Sequence, residues 1–588
     1  MYHLPISILL VFGAAIISAR ALASAQDSAP GPAWARDAVF YEIYPQTFND
    51  SNGDGIGDLP GIIEKLDYVK SLGVSAIWLN PIYESSFRDA GYDVTDFYSV
   101  AKRYGTNEDA RRLFAEAHKR GLRVIIDFVP GHTSIDHPWF KESAKPGKNR
   151  YSNWYIWTDR TWFSGIDRNQ YTFIQGYSDR DGCYLTNFFW HQPALNYGFA
   201  HPDPKQPWQL PVDHPDVLAL KAEMEKILRF WLDLGCDGFR VDMAGSLVKG
   251  DDCGECARYW KGVRARLEKD HPDLFLVSEW SNPIEALNGG FDADFLHWIP
   301  EYPNLFQGEN ERPAFFSAKG GGDITYFLGA YLRQYEATKS KGFISLPFAN
   351  HDLPRIQRDG RTRRDVEIIY AFELTMPGTP FLYYGDEIGM RQLEGLPCTE
   401  GSYGTRAGAR TPMQWSSGAN LGFSSAEPTH LYRPVDPSPD APTVEAAEKD
   451  PQSLLQHVRA LIALRRNEPA LLAQAGFTPL YAQKDRYPFV FLRRLGQNQI
   501  LVALNPANAP AKISFKAPIA STAPALLAGQ NGHLMVSGTE AILEMEAPAS
   551  RSIASANRGS TDWVGSLEPI IASKLASFNW LIAYATRA

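Results

Sequence analysis

A chain of 588 residues is too long for one ordinary hydrophobic core, so more than one domain is expected. Hydrophobic residues at 44% and charged residues at 21% are the balance of an ordinary globular protein, and a net charge of −9 argues against a nucleic-acid partner. The 15 Trp and 27 Tyr supply flat faces that lie against sugar rings, although such residues also fill large cores.

The chain opens with the apolar run "PISILLVFGAAII", followed by "ARALASAQ". Small residues at Ala21-Leu22-Ala23 and Ala23-Ser24-Ala25 form cleavage patterns, predicting a signal peptide over 1–25 and export to the periplasm or beyond the cell. His3 is the one basic residue ahead of the run, so an uncleaved anchor is the alternative. No other long apolar run follows, and no transmembrane span is expected in the mature chain.

Eight short β-branched or aromatic runs come next. They are "AVFYEIY" (38–44), "VSAIWLN" (74–80), "LRVIIDFV" (122–129), "DGFRVDM" (237–243), "LFLVSEW" (274–280), "FDADFLH" (291–297), "FISLPFAN" (343–350) and "TPFLYYGD" (379–386). Amphipathic segments such as "IIEKLDYVKSLG" and "VLALKAEMEKILRFWLDLG" separate many of them. Alternating strands and helices predict an α/β chain with a parallel sheet, and eight repeats predict a (β/α)8 TIM barrel over 37–132 and 211–470. The stretch 133–210, rich in Trp, Tyr, Asn and Asp, is too long for a plain loop and reads as an inserted subdomain after the third strand.

After the helical segment "SLLQHVRALIALRRNEPALL", an alternating pattern predicts a C-terminal antiparallel β domain over 471–549. In the tail, 550–588, Trp563, Leu567, Ile570, Ile571, Leu575, Phe578 and Ile582 recur at helical spacing. This stripe predicts an amphipathic helix lying on the body of the protein, or else on a partner or membrane surface.

The loop after the first strand carries Asp50, Asn52, Asp54 and Asp58 at positions one, three, five and nine of an EF-hand-like pattern, with the Ile56 carbonyl at seven. Position twelve is Gly61, so the bidentate glutamate is missing. Hard oxygen donors at this spacing predict a structural calcium ion; a metal-free Asn/Gly/Asp turn is the alternative. Cys253 and Cys256, in "CGEC", are too few for a zinc site and suggest a local disulfide in an exported chain, while Cys236 is expected in the core.

Catalytic groups of barrels sit at the C-terminal ends of the strands. There the third strand brings Asp127 and leads to His132; the fourth brings Arg240 and Asp242. The fifth brings Glu279, and the seventh His351 and Asp352. Residues two apart in a strand share a face, so Arg240 and Asp242, in "CDGFRVDMAG", converge on one place. Carboxylates from separate strands at one mouth are the tools of glycoside hydrolysis, in which one acid is protonated and another attacks the anomeric carbon. Arg240 is expected to keep Asp242 ionised.

With "YEIYPQTFNDSNGDGIGDLPGI", "GYDVTDFY", "DFVPGHTS", "QPALNYG", "GFRVDMAG", "VSEW", "FANHDLPR" and "ARTPMQW" in order, the chain resembles the α-amylase superfamily, glycoside hydrolase family 13, over residues 37–545. Within it the similarity is to the oligo-1,6-glucosidase and α-glucosidase branch. The resemblance implies Asp242 as nucleophile, Glu279 as acid/base and Asp352 as transition-state stabiliser. It implies His132 and His351 as donors to sugar hydroxyls, Tyr92 as the platform beneath the sugar, and an Asp89–Arg410 ion pair closing the first subsite. The implied activity is retaining hydrolysis of short α-glucosides, with an oligosaccharide as partner. A trehalose synthase-like isomerase or transferase, an endo-acting amylase and a non-catalytic transporter heavy chain are the alternatives; the last predicts lost carboxylates, and all three are present. Gly131 stands where the family usually has Asn, which removes a ligand of the inter-domain calcium of many α-amylases. "QPALN" replaces the branch's usual QPDLN, so linkage preference is not assigned.

Overall fold

The computed structural model describes residues 31–162, 171–176, 178–306, 313–518, 525–528, 532–537, 539–545 and 580–586. The expected signal peptide lies outside these residues. All eight expected runs form strands: β1 (Phe40–Ile43), β2 (Ala76–Leu79), β3 (Arg123–Phe128), β4 (Gly238–Val241), β5 (Phe275–Ser278), β6 (Ala293–Phe295), β7 (Phe343–Ser345) and β8 (Phe381–Tyr383). Their pairing is parallel, in the order β7-β6-β5-β4-β3-β2-β1-β8, so the sheet curls into a barrel that lacks strand pairing at the β7–β8 seam. Helices α1 (Leu59–Ser71), α2 (Asn107–Lys119), α3 (Pro215–Leu234), α4 (Glu255–Leu267), α5 (Pro283–Asn288), α6 (Ile324–Thr338), α7 (Arg363–Thr375) and α8 (Leu454–Asn467) accompany the strands.

The two-residue period of a strand sorts the barrel interior into layers. Phe40, Trp78, Ile125, Val277 and Phe295 belong to one buried apolar cluster. Two residues further along the same strands, or just past their ends, stand Glu42, Asn80, Asp127, Glu279 and His297, all buried. An aromatic floor therefore supports a polar layer at the C-terminal mouth.

The insertion between β3 and β4 contains a short helix (Pro138–Ser143) and a two-stranded ribbon (Phe173–Gln175 with Cys183–Leu185). It has a small core of Ile156, Leu185, Ala194, Phe199 and Trp208, and joins the barrel through a bridge between His132 and Ala194. After α8 come β9 (Gly476–Tyr481), β10 (Phe489–Leu495), β11 (Asn498–Leu504), β12 (Ala511–Lys516), β13 (Ala525–Ala528), β14 (Gly532–Ser537) and β15 (Glu540–Met545), followed by β16 (Trp580–Thr586). They make two antiparallel sheets, β9-β10-β11-β16-β13 and β12-β15-β14. Val490, Leu492, Leu501 and Ala503 pack in one cluster with Ile513, Phe515 and Leu543.

Two expectations change. The part of the tail that is described, residues 580–586, is a strand and not a helix; it pairs with β11, Leu504 opposite Trp580 and Gln499 opposite Thr586. Long-range pairing of an aromatic and apolar segment overrides the helical spacing, and Ile582 is a strand residue; Trp563 to Phe578 lie outside the described residues. The suggested Cys253–Cys256 disulfide is also not formed: both are unbridged thiols, and buried Cys256 instead donates its thiol to the Gly245 carbonyl. Cys236 is buried as expected.

Gly238 opens β4 so close to β5 that an added Cβ would lie 1.9 Å from the Phe275 carbonyl oxygen. Because that neighbour is backbone, Gly238→Ala must push apart the strands carrying Arg240 and Glu279. The expected cost is about 3 kcal/mol of stability, read by urea unfolding.

Candidate active site

The polar layer is organised by one guanidinium. Arg240 is 2% exposed; its Nη1 donates to Asp127 Oδ1 at 2.6 Å and to Asp242 Oδ1 at 3.0 Å, while its Nη2 lies 2.7 Å from Glu279 Oε2. Three carboxylates from β3 and from just beyond β4 and β5 thus share one cation. Asp127 is fixed further by the Trp78 indole N–H at 2.8 Å. Met243, directly after Asp242, takes a left-handed backbone, φ 43°, and donates its N–H to Glu279 Oε2 at 3.2 Å. A non-glycine residue in that conformation beside a carboxylate is strain kept for geometry.

Arg240 stands beside Asp242, as expected, and pulls its carboxyl down, but burial works against it. Burial raises the Asp242 carboxyl well above its usual range, and Glu279 and Asp127 add to the rise, against the pull of Arg240. Arg240 is one positive charge among three buried carboxylates, so its pull does not cancel the rise at Asp242. Burial likewise pushes Asp127 up to about 6 despite Arg240.

Asp352 has the opposite environment. Burial alone would raise it, but His351, Arg406, Arg410 and Arg240 together hold its carboxyl well below the ordinary range. Arg410 Nη2 donates to Asp352 Oδ1 at 2.8 Å, and Arg406 Nε lies 3.1 Å from the same oxygen. The site therefore sets two carboxyls raised by burial, Asp242 and Asp127, beside one, Asp352, held well below the ordinary range.

A cavity of about 700 Å³ is lined by Asp242, Glu279 and Asp352 together with Asp89, Tyr92, His132, Arg406 and Arg410. Two residues of the expected site, Arg240 and His351, lie behind its wall. Arg240 sits beneath the carboxylates. His351, 1% exposed, is spoken for on both nitrogens: Nδ1 is 2.7 Å from Glu42 Oε1, and Nε2 is 2.7 Å from the Tyr92 hydroxyl. His132 does line the cavity, and burial holds its imidazole neutral, lowered to about 3.

The expected Asp89–Arg410 ion pair is not formed. Arg410 is taken up by Asp352, by Ser402 Oγ at 2.8 Å and by the His351 carbonyl at 2.7 Å. Asp89 accepts instead from Gln192 Nε2 at 2.7 Å, so the glutamine of "QPALN" reaches the cavity's rim from the insertion. Gly131 also has a local reason. A Cβ there would lie 2.6 Å from Asn187 Nδ2, and that amide lies 3.2 Å from His132 Nδ1. The insertion supplies an amide where the family's own Asn would stand.

Sequence reasoning missed Trp298 and His297. The Trp298 indole N–H donates to Glu279 Oε1 at 2.9 Å, and His297 Nε2 is 3.9 Å from the same oxygen. The signal was present, since "FLH" ends the sixth strand, but a histidine and a tryptophan past a strand do not announce a carboxylate partner.

The loop of residues 50–58 is held by its own side chains. Asp50 Oδ1 accepts from Gly53 N–H at 2.7 Å and Oδ2 from Gly55 N–H at 2.8 Å; Asn52 accepts from Asp54 N–H and Asp54 from Ile56 N–H, each at 2.9 Å. Asp58 caps α1 by accepting from Gly61 N–H at 2.6 Å, a role the spacing did not suggest. Ile56 contributes its carbonyl as an oxygen of the same loop.

A (β/α)8 barrel with carboxylates from separate strands converging at its C-terminal mouth is the build of an enzyme acting on glycosides. A model of the α-amylase catalytic domain matches residues 42–474. The chain is 33% identical over 493 residues to a trehalose synthase/amylase TreS of Mycobacterium tuberculosis, spanning 76% of this chain and 77% of that one. It is 32% identical over 533 residues to an oligo-1,6-glucosidase of Parageobacillus thermoglucosidasius, spanning 80% and 90%. Among solved structures it is similar to the α-glucosyl transfer enzyme XgtA, with a TM-score of 0.71 and 26% identity over 94% of this chain and 99% of that one. The chain belongs to the α-amylase family, glycoside hydrolase family 13, and has oligo-1,6-glucosidases among its relatives.

Burial pushes Asp89 up to about 7, although Arg410, Arg406 and Gln192 pull it down. In the unfolded chain an aspartate titrates near 3.9, so between about pH 4 and 7 the folded state holds a proton that the unfolded state has lost. Its contribution to stability is present in full below that window and disappears as pH rises through 7. Asp89→Asn, which cannot ionise, should therefore lose less stability than the wild type between pH 4 and 7, measured as urea midpoints across that range.

Proposed function

We propose that the protein is a retaining α-glycoside hydrolase acting on short α-glucosides through a covalent glycosyl-enzyme. The observation that carries this reading is Arg240 joining Asp242 and Glu279 in one buried cluster, with Asp352 held ionised in the same cavity. Asp242 attacks the anomeric carbon while Glu279 gives its proton to the departing oxygen. Asp352, kept negative by its arginines, stabilises the positive charge that develops on the sugar. Glu279, now ionised, takes the proton of an incoming water, and two inversions leave the anomeric configuration unchanged. Buried Asp89 and Arg410 in the cavity lining favour a terminal glucose whose hydroxyls complete their hydrogen bonds, and so favour short substrates over starch.

A second reading is supported by the 33% identity to a trehalose synthase/amylase: the glucosyl unit passes to another sugar instead of water. Product analysis over time on maltose, isomaltose, trehalose, sucrose and starch separates the two. Free glucose alone supports hydrolysis, a new disaccharide supports transfer, and rapid loss of starch viscosity would overturn the preference for short substrates.

Asp242→Asn should abolish turnover, because an amide forms no glycosyl ester. Glu279→Gln should slow maltose cleavage by about 10²–10⁴-fold and p-nitrophenyl α-glucoside far less, because nitrophenol leaves with little protonation. Equal slowing of both substrates would remove Glu279 from the acid role.

The same reading includes a structural calcium ion held by Asp50, Asn52, Asp54, the Ile56 carbonyl and Asp58. Those donors are all oxygen, which suits a hard cation. Asn52 and Asp54 each accept one backbone N–H and keep lone pairs, whereas Asp50 already accepts from the N–H groups of Asn52, Gly53 and Gly55 and from the Ser424 hydroxyl, so a bound ion would displace some of those bonds. Its contribution would be to folding, since the loop holds no acid or base of the reaction. Chelation should lower Tm while leaving the rate well below Tm nearly unchanged; immediate loss of activity at constant Tm would refute the structural role. Export remains part of the proposal, and the N-terminal sequence of secreted protein tests it.

A further inference from the structure

Glu279 is held asymmetrically. Its Oε2 lies 2.7 Å from the Arg240 guanidinium and accepts the Met243 N–H, whereas Oε1 accepts the Trp298 indole N–H at 2.9 Å. An oxygen facing both a guanidinium and an amide donor is a poor seat for a proton, so the proton passed to a departing group sits on Oε1. The departing group, and by reversibility the attacking one, therefore meets the sugar on the Trp298 side.

Trp298 lines two cavities. Beyond the catalytic one lies a second of about 340 Å³, bounded by Tyr302, Phe306, Phe348, Arg358 and Arg361. His297 also lines it, 3% exposed, with neither ring nitrogen in a hydrogen bond. The two cavities differ in chemistry. The catalytic cavity presents four carboxylates to sugar hydroxyls; among the described residues lining the second there is no carboxylate and no side-chain amide. Arg361 donates to the Ile356 and Phe306 carbonyls, and burial lowers it to about 10; among the described residues Arg358 forms its ion pair with its neighbour Asp359, at 3.4 Å. A polyol needs acceptors for its hydroxyl protons, and side chains of this lining offer few. A flat apolar body would lie against the rings, and an anionic end would meet the guanidinium groups of Arg358 and Arg361, of which Arg361 forms no ion pair among the described residues.

We propose that this second cavity receives the acceptor of the glucosyl group, and that the acceptor class is a hydroxyaryl carboxylate. The inference rests on the retaining reading above. The phenolic oxygen attacks the anomeric carbon of the glucosyl ester on Asp242. The bond from that carbon to the ester oxygen breaks, its electron pair returns to the Asp242 carboxylate, and the phenolic proton passes to Glu279.

The test uses the full chain with p-nitrophenyl α-glucoside as donor and 4-hydroxyphenylacetate, its methyl ester or glucose as acceptor. Nitrophenol release reports glucosyl-enzyme formation, and chromatography reports the aryl glucoside. The acid should be glucosylated at least about tenfold faster than its ester, and faster than glucose. In Arg361→Met and Arg358→Gln the acid-to-ester ratio should fall towards one, a ratio within each variant that loss of folded protein does not alter. Nitrophenol release without aryl glucoside, an ester as good as the acid, glucose as the better acceptor, or a ratio unmoved in both variants overturns the inference and leaves the retaining reading standing. Absence of nitrophenol release overturns both.

Discussion

A single buried positive charge sets the terms for the centre of this protein. Arg240 is in contact with Asp127, Asp242 and Glu279, and burial makes Asp127 and Asp242 costly to ionise. A neutral residue at 240 would leave three acids crowded without a counter-charge. One guanidinium among three carboxylates is the charge balance on which the proposed acid and nucleophile roles rest. Asp352 shows the contrasting solution, where two arginines against one carboxylate remove any capacity to hold a proton.

The barrel makes this arrangement possible through its period. Five of the strands place an apolar side chain below and a polar one two residues above, within the strand or just past its end, so the polar layer stands on Phe40, Trp78, Ile125, Val277 and Phe295. Trp78 joins both layers, packing among the aromatic residues while its indole N–H orients Asp127. The charges cannot sink into the barrel, and water reaches them from one end.

The barrel and its polar mouth were legible in the sequence because both follow from regular spacing: β-branched runs between amphipathic helices, and charged residues at strand ends. Convergence across space was not legible. Nothing in the sequence announces that Arg410 turns to Asp352 while Asp89 takes Gln192, because that choice depends on where an insertion folds. Trp298 escaped notice because its role is a hydrogen bond to a carboxylate, which no spacing rule reports. The end of the chain misled for a related reason. Apolar residues at helical spacing describe a preference, and an unpaired edge on β11 was a stronger claim on residues 580–586.

The contact between Gly131 and Asn187 bears on how such a chain can change. The amide near His132 is contributed by the insertion, and the glycine exists to make room for it. Restoring a side chain at 131 alone drives it into the Asn187 amide, while trimming Asn187 alone leaves His132 without that neighbour. Either single step disturbs the same contact between the Asn187 amide and His132, so the two positions are expected to move together in descent. A chimaera that joins this barrel to a relative's insertion would inherit one half of the pair without the other.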